Sequence, residues 1–134
     1  KIPLPPESVD VVFSQHVIEH LRDPHAALVE WWRVLRQGGL MVVLTPNGSY
    51  PDPALFEDPT HVRVFKPSEL RAAVRTAGFR VTRVRTMMPF LSSHTAFGLR
   101  HARVFSHLPP WSRTGRSLIV VGEKAVNAGD CGRT

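Results

Sequence analysis

The sequence predicts an α/β fold with parallel strands, and three observations carry that prediction. Val9–Ser14 and Leu40–Thr45 are short, largely β-branched apolar runs, which suit strands buried on both faces. Between them lies a segment with helical spacing, joined to both by short connections, as a parallel crossover requires. A second helix and strand pattern follows from Pro67 to Thr86, and a further apolar run closes the readable part at Leu118–Gly122.

Taken in order, the proline-rich opening from Ile2 to Ser8 is a loop leading into the first strand. His16 to Leu21 reads as a short helical turn. Asp23 and Pro24 form a helix start, the aspartate as N-cap and the proline at the first helical position. Leu28, Trp31, Trp32 and Leu35 then recur at helical spacing, and the two tryptophans read as packing residues. Gly38-Gly39 is expected to end that helix. Residues 46–66 form a long polar loop with prolines at 46, 51, 53 and 59 and a turn signal at Asn47-Gly48. Pro67 opens the second helix, whose apolar face is Leu70, Ala73, Val74 and Ala77 and whose cap is Gly78. Phe79–Thr86 is the third strand, with arginines on a wet face. Residues 87–116 interleave aromatic and basic side chains, with an amphipathic helix expected around 95–105. A polar tail follows from Lys124, the domain being read as 1–124 and the tail as 125–134.

Composition narrows the function classes. The chain has 134 residues and a formal net charge of +6, a length that suits one domain at most. Hydrophobic residues make up 43% and charged residues 21%, a globular balance that argues against disorder of the whole. The arginine-rich second half permits anionic partners or is a solvated surface; no nucleic acid is expected. A single cysteine, Cys131, excludes a disulfide within the chain and a cysteine-built metal site, and fits a reducing compartment. No apolar stretch reaches the roughly 20 residues that cross a bilayer, and no signal-peptide pattern opens the sequence. Cytoplasm is the expected location. Oligomeric state is not legible.

The stretches "LPPESVDVVFSQHVIEHL", "LVEWWRVLRQGGLMVVLTPN" and "DPTHVRVFKPSELRAAVRTAGFRVTRV" resemble, in that order and spacing, the second half of a class I S-adenosylmethionine-dependent methyltransferase of the type 11 or type 23 kind. The match runs over about residues 2–86, and more loosely over "GRSLIVVGEKA" as a seventh strand. Gln37 stands where the family commonly has proline. The resemblance implies the distal half of a Rossmann-like sheet, parallel strands with an antiparallel last strand. It implies S-adenosylmethionine as cofactor and methyl transfer to a small molecule or to a glycan or lipid precursor. It also implies a fragment: the family's first strand and glycine-rich cofactor loop precede the matched part, and no G-x-G-x-x-G occurs here. The outer edge of the Val9–Ser14 strand would then be bare.

The candidate site lies after that strand, where ligands of α/β proteins collect. Ser14, Gln15 and His16 occupy the family's turn beside the cofactor and are the cofactor-binding candidates. His16, Glu19, His20 and His61 are the catalytic candidates. The first three are brought together by helical spacing, and His61 shares its loop with Arg63 as base or clamp. Metal-using relatives, the small-RNA 2′-O-methyltransferases and the ubiquinone-pathway O-methyltransferases, carry a similar "E-x-x-E-H". No metal is assigned here, although the four residues would make a histidine-rich set suited to zinc, iron or manganese. Two rival readings stay open. One is an inactive truncated chain or non-catalytic binding module. The other, less favoured, is an H-x-x-E-H zinc metalloprotease.

Overall fold

The computed structural model describes residues 1–51, 59–87 and 115–126. Its elements run β1 (Val9–Gln15), one 3-10 turn (Ile18–His20), α1 (Pro24–Val34), β2 (Leu35–Pro46), α2 (Pro67–Thr76), β3 (Phe79–Met87) and β4 (Ser117–Lys124). The four strands form one sheet in the order β1-β2-β4-β3. β1 and β2 pair in parallel across the α1 crossover. β4 runs antiparallel to both of its neighbours. The last strand therefore has the expected direction, slotted between β2 and β3.

α1 starts where its sequence dictates. Asp23 accepts a hydrogen bond from the Ala26 N–H at 2.9 Å, and Pro24 fills the first helical position. α2 opens on Pro67, and Glu69 reaches back to accept from the Lys66 N–H at 3.0 Å, half of a capping box. It ends at Gly78, whose φ of +99° only glycine adopts without strain. A Cβ there would sit 3.1 Å from the Trp32 indole nitrogen.

Both helices cover one face of the sheet. Leu28 and Trp31 from α1 and Leu70 and Val74 from α2 bury against Met41, Val43, Leu118 and Val120. These sheet residues alternate along β2 and β4, as one buried face demands. On the other face Val11 is 55% and Phe13 63% exposed. β1 was expected to be buried on both sides. It is buried on one, because among the described residues no element lies against its outer face and β1 is an edge strand. The bare edge was expected.

The glycine pair also corrects an expectation. α1 stops at Val34, where the Leu35 N–H bonds back to Trp31 O. Gly38 and Gly39 lie inside β2. The pairing jumps from Val9↔Leu35 to Val11↔Leu40, so extra residues bulge out at Gly38, which has φ +74°. Lys124 departs from the expected polar tail. Its ammonium is buried, donates to Leu35 O at 2.8 Å, pairs with Glu7 at 3.1 Å and lies 4.0 Å from the Trp32 ring centre. The expected helix at 95–105, and most of the tail, lie outside the described residues.

The proline-rich opening is clamped to α1. Glu30 accepts from the Ile2 N–H at 2.9 Å, while Arg33 binds Glu30 and donates to the carbonyls of Ile2 and Leu4. Hydrogen bonds from Arg33 lead in holding the Glu30 carboxyl down at about 2 from an ordinary 4.5; partial desolvation opposes them and the Ile2 N–H adds to them. A depressed carboxyl contributes stability above its unfolded pKa and loses it as pH falls through the folded one. The clamp should therefore weaken between about pH 4.5 and about pH 2. Acid titration by circular dichroism checks this: Glu30→Gln should flatten that part of the profile, and an unchanged profile would contradict it. Gly78→Ala should lower unfolding free energy by about 1–2 kcal/mol through left-handed strain, read from urea midpoints.

Candidate functional site

The candidate site forms where β1 ends. His16 is the first residue past the strand, and its N–H donates to Leu44 O at 2.9 Å, continuing the parallel ladder by one bond. Its φ of +51° is left-handed, uncommon for a residue with a side chain though histidine is enriched there. That twist turns the chain out of the sheet. The 3-10 turn that follows is only three residues long, and its brevity corrects the helical spacing expected for this cluster. His16 does meet Glu19, Nδ1 to Oε1 at 3.0 Å. It does so from the strained turn, not from a helix, and His16 and His20 are not joined.

Glu19 is the centre of the arrangement. It is fully buried, so its carboxylate must find partners in the protein. One oxygen meets His16, and the other accepts from the Thr45 hydroxyl at 3.0 Å. Its backbone carbonyl accepts from the N–H groups of both Val62 and Arg63 at 3.0 Å. The loop that carries His61 is thus pinned beneath the 3-10 turn. A carboxylate only accepts, so the ring nitrogen facing it carries the hydrogen; in a neutral ring His16 Nε2 is then the one with the lone pair.

His20 and His61 come together by another route. Their rings stack with centroids 4.7 Å apart and an interplanar angle of 24°. His20 Nδ1 lies 3.0 Å from both the carbonyl and the hydroxyl oxygen of Thr60. Donor atoms of Glu19, His20 and His61 lie within 4.8 Å of one another. The expected histidine-rich set thus partly assembles, without His16. Both Glu19 oxygens also accept hydrogen bonds within the protein. The H-x-x-E-H protease motif needs a regular helix to project its residues on one face, and a single 3-10 turn after a strand does not provide one.

Ser14 and Gln15 end β1. Gln15 is exposed. Ser14 is 5% exposed, and its hydroxyl has no hydrogen-bond partner among the described residues. A buried hydroxyl without a partner carries a desolvation cost of about 1–3 kcal/mol. An unpaired hydroxyl beside exposed Gln15 and His16 fits a polar ligand at this strand end. Sequence reasoning missed Thr45 and Asn47. Buried Asn47 donates from its side chain to Gly115 O at 2.7 Å and accepts from the Ser49 N–H at 3.0 Å. The available signal was their polarity directly after an apolar run. Arg63, expected as a clamp, lies over the Phe65 ring at 4.8 Å.

The family model for a methyltransferase domain matches residues 1–43. A protein of Mycolicibacterium smegmatis named as a probable S-adenosylmethionine-dependent methyltransferase is 43% identical over 83 residues, 60% of this chain and 32% of that protein. The ubiquinone biosynthesis O-methyltransferase of Maricaulis maris is 34% identical over 82 residues, 52% of this chain and 32% of that protein. In fold, a Haloferax volcanii methyltransferase solved with the Trm112 activator superposes with a TM-score of 0.69 at 20% identity, over 95% of this chain and 58% of that chain. The chain is thus similar to part of an S-adenosylmethionine-dependent methyltransferase domain. The matched stretch spans about a third of the curated relatives' length, 32% in both cases. The observed strand order and antiparallel β4 agree with the Rossmann-like sheet expected of that domain. The Mycolicibacterium smegmatis relative is named for its dependence on S-adenosylmethionine.

Removing the central carboxylate should be costly. Glu19→Ala strands the buried Thr45 hydroxyl and should lower stability by about 1–3 kcal/mol. Urea unfolding of the full-length protein checks it; a midpoint equal to the parent's would show that Glu19 is not the keystone of this corner.

Proposed function

We propose that the full-length protein transfers a methyl group from S-adenosylmethionine to a hydroxyl of a small molecule or of a glycan or lipid precursor, with His16 as the base. The observation that supports this most directly is the His16–Glu19 pair at the carboxyl end of β1, with the imidazole 47% exposed and the carboxylate fully buried. A buried carboxylate that orients a half-exposed imidazole suits proton removal. The O-methyltransferase name of the Maricaulis maris relative agrees with an oxygen acceptor.

The bound sulfonium would supply an activated methyl group and a neutral thioether as leaving group. The chain's own part is to hold the acceptor and take its proton. The acceptor hydroxyl would give up its proton to His16 Nε2, and Glu19 beside Nδ1 would stabilise the imidazolium. Gln15 and Ser14 are assigned to the cofactor side, along with the backbone of His16. His20 and His61 present a stacked pair of rings that we assign to holding the acceptor.

The test is methyl transfer by the full-length protein to hydroxyl-bearing acceptors. His16→Gln should lower kcat by about 10²–10⁴-fold while cofactor affinity, read by calorimetry, stays near the parent value. His61→Ala should lower turnover with little change in cofactor affinity. Full turnover in His16→Gln would remove the base assignment, and an unchanged rate in His61→Ala would retire that residue from the acceptor side.

A further inference from the structure

Thr45 is a buried polar residue on the stretch of β2 whose other inward side chains, Met41 and Val43, are apolar. Along β2, Met41, Val43 and Thr45 point to the same side, and all three are fully buried. Valine has the same shape and would serve the packing equally well without the cost of desolvating a hydroxyl. The hydroxyl is therefore kept for its bond, and that bond goes to Glu19 Oε2 at 3.0 Å. The residue before it, Leu44, holds the His16 N–H through its carbonyl at 2.9 Å. Two consecutive residues of one strand thus hold both members of the pair, one by the backbone and the other by the carboxylate.

We propose that Thr45 is a positioning residue: its hydroxyl fixes the Glu19 carboxylate and, through it, keeps His16 in the Nδ1–H tautomer with Nε2 free to accept a proton. This rests on the reading of His16 as base. Freed from Thr45, the carboxylate gains a rotational degree of freedom and no longer selects one ring nitrogen. A base that is misplaced or in the wrong tautomer abstracts no proton, whereas acceptor binding is untouched. The effect belongs in kcat and not in KM.

The experiment uses the full-length protein and three variants. ¹⁵N-histidine spectra report which His16 nitrogen carries the proton, with the His16→Gln spectrum giving the assignment. In the parent, His16 should read as Nδ1–H. Thr45→Val should show a mixed or Nε2–H signature and a kcat lower by about 10- to 100-fold, with KM little changed. Thr45→Ser keeps the hydroxyl, and should restore both the signature and most of the rate. The proposal is overturned if Thr45→Val keeps the parent tautomer and rate. It is equally overturned if Thr45→Ser fails as badly as Thr45→Val, since packing would then be the cause. Should His16→Gln turn over normally, the base reading falls alone, and the tautomer in Thr45→Val still decides whether Thr45 positions the ring.

Discussion

The buried carboxylate of Glu19 is the constraint on which this end of the molecule depends. A charge out of water needs partners of its own, and two meet the carboxylate. His16, just past β1, and Thr45 on β2 bind its oxygens, while the loop after residue 59 donates two backbone N–H groups to the same residue's carbonyl. None of these segments is adjacent to the other two in sequence. Satisfying one glutamate therefore brings together the strand end, the 3-10 turn and the loop of His61, and the stacking of His20 on His61 follows from that closure.

The opposite end of the sheet is held by a different charge on the same principle. Lys124 is buried, and its ammonium is met by a carbonyl, a carboxylate and an indole face. It joins the end of β4 to the start of β2 and to the loop before β1. Glu7 takes a left-handed φ of 54° in that loop while its N–H bonds to Arg33 O at 3.0 Å. The two ends thus each carry an ionisable group satisfied from several elements, with the apolar layer between them supplied by α1 and α2. The face of β1 that bears Val11 and Phe13 stands apart from this scheme, since no described element covers it.

Secondary structure was legible because each signal was local. Asp23-Pro24 and Pro67 mark helix starts by their own capping chemistry, and Gly78 marks an end through its backbone freedom. Gly38-Gly39 misled because the same glycines serve a helix cap and a strand bulge equally well. The choice between them depends on how β2 aligns with β1, which is a tertiary matter. The candidate site was legible in part. His16, Glu19, His20 and His61 stood out by chemistry, and the pairing of His16 with Glu19 was expected, though it forms from the left-handed turn at His16 and not from helical spacing.

By itself the sequence determined the element types, the antiparallel last strand through its family likeness, and the residues able to do chemistry beyond β1. Only the tertiary structure decided which of them meet. Periodicity cannot foresee a left-handed φ at His16, so the turn was taken for a helix. Nor can it foresee that a threonine 26 positions from Glu19 completes its hydrogen bonds. Such long-range partners are selected by burial, because a carboxylate sealed from water binds whatever donor the neighbouring strand places within reach.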